Sequence, residues 1–353
     1  MREEVHQALS KGAGISVATS DIPSASDLLV WGREVTAPAL RTAVETLDPA
    51  LQTVVGYHFG WPDRQGRSSG GSGGKALRPT LVLLCAQAAG GSVQDGLPGA
   101  VATELLHNFS LLHDDIIDGD ALRRGRASAW SFFGTTPALL AGDALLALAF
   151  DVLRNSPRAV AQLAFAAQGL VTGELADTAF EQRADVSLAE GVAMAQGKTA
   201  ALVGGCASIG ATLAGADSDQ AAHLHGFGYH LGMAFQLVDD LLGIWGDPMV
   251  TGKPVGADLV ARKMTLPVLA ALDSATPAGQ QLAKLYAADE PLSAEAVQEA
   301  ADLVEAAGGR AWTERRIEQE TEAALAQLAY AAPPPLIEEQ LTGLARLMAG
   351  RDR

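Results

Sequence analysis

The chain has 353 residues, of which 48% are hydrophobic and only 5% aromatic, and its formal net charge is −16. This length allows one large domain or two ordinary ones. A chain this acidic has no basic stripe with which to neutralise a phosphate backbone, so we expect no nucleic-acid partner.

Residues 1–35 contain twelve Gly, Ser and Ala residues and are only weakly periodic, which predicts a mobile N-terminal arm. A helical pattern follows from Ala37 to about Phe59, and the glycine and serine tract at 67–74 predicts a flexible loop. From Leu77 onward apolar residues recur at helical spacing, with no alternating run that indicates a strand. Gly and Pro divide this stretch into roughly a dozen helices. We therefore predict one all-α domain over residues 36–353.

No stretch reaches the roughly 18–20 apolar residues of a membrane span. The best candidate, Pro137 to Leu153, is interrupted by two aspartates, and the first residues carry no apolar signal-peptide core. Cys85 and Cys206 lie in apolar sequence, which is typical of small core residues in a reducing compartment. These features predict a cytoplasmic protein without a transmembrane segment.

Two aspartate-rich segments lie within apolar sequence. The first contains Asp114, Asp115 and Asp118, and the second contains Asp239 and Asp240. On a helix, Asp114 and Asp118 share one face. Burying unpaired carboxylates costs several kcal/mol, and the apolar flanks disfavour the alternative of a solvated helix face. Mg²⁺ commonly bridges carboxylates to substrate phosphates, so the two segments predict metal-assisted binding of a diphosphate.

Basic residues accompany both acidic segments. A lone lysine or arginine is usually solvated, but seven of the 25 basic residues stand beside glycine hinges or acidic segments. Arginine forks and lysine charges are the usual means of holding phosphate oxygens. The candidates for phosphate binding are therefore Lys75, Arg78, Arg123, Arg124, Lys198, Lys253 and Lys263.

These motifs resemble those of the trans-isoprenyl diphosphate synthases, the family that includes farnesyl and geranylgeranyl diphosphate synthases. The resemblance covers roughly Leu40 to Met348. It rests, in this order, on GGKALRP (73–79), ELLHNFSLLHDDIIDGDALRRG (104–125), LAGDALL (140–146), GKTA (197–200) and FQLVDDLLGIWGDPMVTGKPVGADLVARKMTLP (235–267). It implies a single bundle of long antiparallel helices around a deep central cavity, usually as a homodimer.

The resemblance also implies the reaction, which is Mg²⁺-dependent head-to-tail condensation of isopentenyl diphosphate with an allylic diphosphate. Three Mg²⁺ ions per active site are implied, with Mn²⁺ as a substitute. The implied metal ligands, which together with Lys198 are the implied catalytic residues, are Asp114, Asp115, Asp118, Asp239 and Asp240. The implied ligands of the allylic diphosphate are Arg123, Lys198, Thr199, Gln236, Lys253 and Lys263. Isopentenyl diphosphate would be held by Lys75, Arg78, His107 and Arg124, while Phe235 offers its ring to the allylic cation.

The chain departs from the family pattern at three positions. Ala76 replaces a common basic residue, and Gly243 replaces the third aspartate of the second segment. Glu174 stands where glutamine is frequent. None of these changes removes a residue that the mechanism requires.

Two residues that precede the first acidic segment are candidates for setting product length. Ser110 lies one helical turn, about 6 Å, before Asp114 and is small, whereas its neighbour Phe109 is bulky enough to narrow a passage. An aromatic residue here, with no two-residue insertion in the motif, resembles archaeal-type C20 synthases. We expect geranylgeranyl diphosphate as the main product, farnesyl diphosphate next and longer chains third.

Two other functions are compatible with the first acidic segment. A terpene cyclase would share the motif and the fold, but it has no need of a second diphosphate site such as the set around Arg78 and Arg124. A non-catalytic subunit of a heteromeric synthase typically lacks one acidic motif, whereas this chain has both.

Overall fold

The computed structural model describes residues 23–61, 74, 76–183, 185–248, 254–287 and 292–350. Residues 1–22 of the expected arm, Lys75 and Lys253 lie outside the described residues. The chain divides into two compact units. The first comprises Met1–Ala164, Cys206–Leu224 and Ala331–Gly343, and the second comprises Phe165–Gly205, His225–Tyr330 and Leu344–Arg353.

The described residues are predominantly helical, as the sequence predicts. The helices up to the first acidic segment are α1 (Ala25–Val44), α2 (Pro49–Phe59), α3 (Leu77–Ala88) and α4 (Val93–Ile117). A short ribbon, β1 (Leu122–Arg123) and β2 (Arg126–Ala127), precedes α5 (Ala129–Phe133), α6 (Thr135–Val152), α7 (Pro157–Phe180) and α8 (Leu188–Ala195). A π-helical turn, Gln196–Ala200, leads into α9 (Ala201–Leu213) and α10 (Ser218–Trp245). The remaining helices are α11 (Ala257–Val260), α12 (Leu266–Leu272), α13 (Pro277–Tyr286), α14 (Ala294–Ala306), α15 (Gly309–Ala331) and α16 (Pro335–Met348).

The first helix begins earlier than the sequence indicates. Ser24 and Asp27 form a capping box, in which the serine hydroxyl accepts from the Asp27 amide and the Asp27 carboxylate accepts from the Ser24 amide. Residues 25–35, assigned to the arm from composition, are therefore helical. The pattern from 37 to 59 is also divided, because Asp48 caps a new helix whose first residue is Pro49.

Helix α4 is the central element of the first unit and packs against α3 and α6. Its start is fixed by a second capping box, between Ser92 and Asp95. Leu105, Leu106 and Leu112 are fully buried along its length. Burial of each such side chain stabilises the fold by roughly 1.5–3 kcal/mol. The buried helix thus places the first acidic segment, at its C-terminal end, on a rigid support.

The ribbon that follows α4 pairs Leu122 with Ala127 and Arg123 with Arg126 in antiparallel register. Arg124 and Gly125 form the intervening two-residue turn, with φ of 54° and 76°. Positive φ at both positions matches the twist of the strands. The turn thus brings three arginines together on one hairpin, namely Arg123, Arg124 and Arg126.

One helix among the described residues, α6 (Thr135–Val152), is long and apolar enough to cross a membrane by length and composition. Its mean hydropathy is 1.4, and 39% of this stretch is buried within the fold. Helix α6 packs against α4, and the core helix of a soluble protein passes the same test. The finding is therefore weak support for a membrane span.

The second unit brings the π-helical turn close to α7. A Cβ at Gly173 would collide with the backbone nitrogen of Lys198, so only glycine permits this approach. Met233, Leu237 and Leu266 belong to a buried cluster that supports the part of α10 carrying the second acidic segment. Packing therefore fixes the backbone at both Lys198 and the second acidic segment.

Candidate active site

The three aspartates of the first acidic segment differ in exposure. Asp115 is 1% exposed, Asp114 is half-buried, and Asp118, which caps α4, is exposed. The apolar flank is not uniformly buried either, since Ile117 is 51% exposed. The segment therefore crosses from the core to the surface within one helical turn.

Asp115 is paired with Arg123 from the ribbon. The guanidinium Nε donates to Asp115 Oδ1 at 2.7 Å, and a terminal nitrogen lies 2.5 Å from the same oxygen. Burial raises the pKa of Asp115, and the hydrogen bond from Arg123 opposes that rise. The other carboxylate oxygen, Oδ2, is buried without a hydrogen-bond partner. Sequence reasoning placed both residues at the site but did not anticipate that they bind each other.

The expected second diphosphate site contains buried positive charge. Arg78 Nε is buried without a hydrogen-bond partner, and burial lowers the pKa of this guanidinium. Burial also lowers the pKa of His107 to well below its usual value, with Arg78 and Arg124 adding to the effect, so this imidazole is neutral. Burial lowers the pKa of Arg124, while Glu104 raises it. A buried guanidinium with an unused N–H beside a neutral imidazole is suited to binding an anion.

Sequence reasoning missed three polar residues that adjoin these arginines. His58 on α2 is 2% exposed, and burial lowers its pKa to about 3. Its Nε2 lies 3.1 Å from Oδ1 of the buried Asn108. The Asn108 amide in turn donates to Glu104 Oε1 at 2.9 Å. The spacing of Glu104 and Asn108 was a readable signal, but His58 comes from a separate helix and gave none.

In the second unit, Lys198 is held by two acidic side chains. Its Nζ lies 2.8 Å from Glu174 Oε2 and 2.5 Å from Asp177 Oδ2. Burial alone would lower the pKa of Lys198, but Asp177 and Glu174 raise it well above its usual value. The lysine is therefore cationic, as phosphate binding requires.

Thr199, Gln236 and Asp240 form a hydrogen-bonded chain beside it. Thr199 Oγ1 donates to Gln236 Oε1 at 2.6 Å, and Gln236 Nε2 donates to Asp240 Oδ1 at 2.8 Å. The backbone amide of Leu266 donates to the other oxygen of Asp240 at 2.9 Å. Burial raises the pKa of Asp240 to about 7, against the effect of these hydrogen bonds. Both oxygens of Asp240 are thus engaged within the protein, whereas Asp239 is exposed.

Asp258 occupies the space beside Gly243. A Cβ at Gly243 would collide with the Asp258 carboxylate, so the second acidic segment has a carboxylate where its third aspartate would begin. Sequence reasoning noted the glycine but missed Asp258. Phe235 is half-buried on α10, and Lys263 is exposed, with its backbone amide bonded to Asp258 O at 2.9 Å.

Phe109 and Ser110, the expected determinants of product length, are both 6% exposed on α4. The Phe109 ring meets His113 edge-on with centroids 4.7 Å apart. Ser110 Oγ donates to His107 O at 2.8 Å, which holds the small side chain against its own helix.

Among the described residues, no three His, Cys, Asp or Glu side chains converge as a preformed metal site. Mg²⁺ is commonly held by one or two carboxylates together with water and substrate phosphates, so this arrangement fits the ion. The buried, unpartnered Oδ2 of Asp115 and the exposed Asp239 are suited to such partial coordination.

Comparison with known proteins gives a consistent result. A family model described as polyprenyl synthetase matches residues 66–304. The geranylgeranyl diphosphate synthase of Mycobacterium tuberculosis (strain H37Rv) is 44% identical over 331 residues, which cover 92% of this chain and 93% of that protein. The (2E,6E)-farnesyl diphosphate synthase of the same strain is 44% identical over 337 residues, covering 92% of each.

Solved structures confirm the all-α isoprenoid synthase fold. The polyprenyl synthetase of Streptomyces coelicolor A3(2) is 44% identical with a TM-score of 0.88, covering 93% of this chain and 99% of that one. The geranylgeranyl pyrophosphate synthase of Corynebacterium glutamicum, complexed with isoprenyl diphosphate and magnesium, is 28% identical with a TM-score of 0.71, covering 93% and 97%.

Proposed function

Because the chain belongs to the polyprenyl synthetase family and is a prenyltransferase, we propose that it condenses isopentenyl diphosphate with an allylic diphosphate in an Mg²⁺-dependent reaction. The observation that carries this proposal is the buried Arg78 Nε without a hydrogen-bond partner, beside the neutral His107. A second anion site of this kind is needed by an enzyme with two diphosphate substrates. A terpene cyclase, which has one diphosphate substrate, has no use for it.

The metal ions would be held by Asp114, Asp115, Asp118, Asp239 and Asp240. When bound, they supply Lewis-acid stabilisation of charge on the leaving diphosphate. Asp115 offers its unpartnered Oδ2, and Asp239 is accessible on the surface of its unit. Asp240 is fixed by Gln236 and Leu266, so its contribution depends on that hydrogen bonding. Mn²⁺, a divalent cation that also accepts carboxylate and water ligands, is a suitable substitute.

The protein side chains bind and orient the two substrates. Lys198, Thr199 and Gln236, with Arg123, Lys253 and Lys263, hold the allylic diphosphate as its C–O bond breaks. Arg78, His107 and Arg124, with Lys75, hold isopentenyl diphosphate so that its double bond attacks the allylic carbon. The Phe235 ring stabilises positive charge there. The departing diphosphate accepts the proton that the new intermediate loses.

The main product that we propose is geranylgeranyl diphosphate. The close relatives are named for both C20 and C15 products, so the relatives alone do not decide product length. Phe109 is buried on α4, the helix that carries Asp114. In this proposal the bulky Phe109 ring limits the growing chain, while the small Ser110 side chain leaves the passage open.

Incubation with Mg²⁺, labelled isopentenyl diphosphate and separate allylic primers tests the whole proposal. We expect prenyl diphosphates, with the C20 product dominant, and loss of product when the metal is removed with a chelator. A cyclic hydrocarbon formed without isopentenyl diphosphate would overturn the proposal, as would an inactive protein that needs a partner chain.

We also infer that the enzyme is a homodimer. In the second unit, α7 exposes Phe165 at 67%, Val171 at 52% and Leu175 at 71%. Large apolar side chains grouped on one helix favour burial against a partner. Light scattering of the purified protein should give twice the chain mass of 36.4 kDa. A monomer at micromolar concentration would contradict the inference.

A further inference from the structure

Glu174 and Asp177 hold the ammonium of Lys198 between them, although one carboxylate is enough to balance its charge. The two acids are three residues apart on α7, and therefore adjacent on one helix face. Lys198 Nζ lies 2.8 Å from Glu174 and 2.5 Å from Asp177. The Glu174 side chain is 10% exposed and that of Asp177 is 34% exposed. Glu174 is thus the more buried partner and the less screened by solvent.

The backbone of Lys198 is held close to α7. The π-helical turn packs so closely against α7 that a Cβ at Gly173 would collide with the Lys198 backbone nitrogen. The lysine side chain therefore starts beside α7 and reaches both carboxylates from there. An ammonium has three N–H groups, so one remains for a phosphate oxygen after both carboxylates are bound.

The three side chains carry a net charge of −1, because both carboxylates lie beside one ammonium. A diphosphate bound at Lys198 would be repelled by the surplus negative charge. With an amide at position 174, Lys198 would keep its partner Asp177, and the group would be neutral. Glu174 is therefore not needed to balance the charge of the lysine.

We propose that Glu174 weakens diphosphate binding at Lys198 and so speeds release of the diphosphate product. This inference rests on the proposed function, in which Lys198 holds the allylic diphosphate. Once the C–O bond has broken, the same lysine holds inorganic diphosphate, which must leave before the next turnover. A carboxylate beside the lysine raises the free energy of that product complex.

The test compares variants that remove one charge at different places. Glu174→Gln keeps an oxygen that accepts from Lys198 but removes the charge, and Glu181→Gln removes an exposed charge just beyond the end of α7. Binding of inorganic diphosphate in saturating Mg²⁺ is measured by calorimetry. We expect Glu174→Gln to bind about tenfold more tightly than the wild type, since a neighbouring charge is only partly screened. Glu181→Gln should bind as the wild type does.

Steady-state kinetics distinguish an effect of the Glu174 charge from a purely structural role of this side chain. Glu174→Gln should lower the inhibition constant of diphosphate and the KM of the allylic substrate, while the KM of isopentenyl diphosphate stays unchanged. The gain in affinity should shrink as salt is raised, because its origin is electrostatic. Glu174→Met, which also lacks the charge, should bind more tightly than the wild type and replaces the glutamine variant if that variant does not fold.

Unchanged or weaker diphosphate binding by Glu174→Gln would overturn the inference. Unchanged binding would mean that the charge of Glu174 has no effect on affinity, and weaker binding would mean that this charge is needed to position Lys198. That outcome leaves the proposed function standing if the wild type still forms prenyl diphosphates. Failure of the wild type to form any prenyl diphosphate contradicts the proposed function itself, whatever the binding ratio between the two proteins.

Discussion

His58 Nε2 lies 3.1 Å from Oδ1 of Asn108, and this contact fixes the protonation of the imidazole. The Asn108 amide nitrogen donates to Glu104, so its oxygen must accept from His58. His58 therefore carries its proton on Nε2 and is neutral, as its lowered pKa of about 3 requires. A buried neutral histidine beside Arg123, Arg124 and Arg126 avoids adding a further positive charge to this cluster.

This histidine makes folding sensitive to acid. Its pKa is about 3 in the folded protein and about 6.5 in the unfolded chain, so the unfolded state binds the proton first. The contribution of His58 to the free energy of unfolding is fully present above about pH 6.5. It falls towards pH 3 by about 1.4 kcal/mol per pH unit. Denaturant melts between pH 7 and pH 4 should show a shallower decline for His58→Gln than for the wild type. Equal slopes would contradict this account.

Removal of either key aspartate should lower turnover strongly without unfolding the protein. Asp114→Ala and Asp239→Ala should each lower kcat by about a hundredfold or more, because charge on the leaving diphosphate is no longer stabilised. Asp151→Ala, which removes an exposed aspartate paired with Arg154, is the matched control. Circular dichroism should show full helicity in all three variants. Near wild-type turnover by Asp114→Ala would refute its assignment to the metal site.

Arg78→Ala should act mainly on isopentenyl diphosphate. One charge-assisted hydrogen bond contributes about 1.5–3 kcal/mol, so the KM for this substrate should rise about ten- to a hundredfold. Arg158→Ala, at an exposed position on α7, provides a control for lost positive charge. The KM for the allylic substrate should change little. Equal weakening of both substrates would show that the two diphosphate sites are not separable.

Product length should respond to the two neighbouring positions on α4 in opposite directions. Phe109→Ala removes a buried ring and should lengthen the product, while Ser110→Phe adds one and should shorten it. Chromatography of dephosphorylated products measures both shifts. If neither distribution changes, the limit on chain growth lies elsewhere.

Restoring the third aspartate of the second acidic segment should lower the stability of the protein. Gly243→Asp, or even Gly243→Ala, places a Cβ against the Asp258 carboxylate, which has to swing aside, and should destabilise the fold by about 1 kcal/mol. Gly343→Ala is the control, since a Cβ there meets nothing within 4 Å and should stabilise α16 by up to about 1 kcal/mol. Thermal melts distinguish the two cases. A Gly243→Asp variant as stable as the wild type would contradict the close approach of Asp258.

Local spacing predicted the helices on which the candidate site residues lie, whereas long-range packing determines which of those side chains meet. The all-α fold is confirmed, because apolar periodicity after Leu77 is strong enough to indicate helix directly. Pairing between elements has no such signal. The bonds of Arg123 to Asp115 and of Leu266 to Asp240 join residues brought together by a ribbon and a loop.

The start of α1 shows a second reason why the sequence does not predict every element. Composition placed residues 25–35 in the arm, yet the capping box at Ser24 begins a helix there. A Ser followed three residues later by Asp is a short signal that the weak periodicity of its surroundings obscures. The roles of the predicted site residues remain predictions, since geometry alone assigns no chemistry.

The hairpin residue Arg124 has a consequence for engineering this enzyme. Its φ of 54° is a backbone conformation that costs an L-residue other than glycine about 1–2 kcal/mol. Glycine or asparagine at this position would relax the turn, so a selection for heat resistance alone would favour replacing the arginine. The selected variants would be more stable but would lack a guanidinium that is assigned to binding of the second substrate. At this position, selection for stability and selection for catalysis favour different residues.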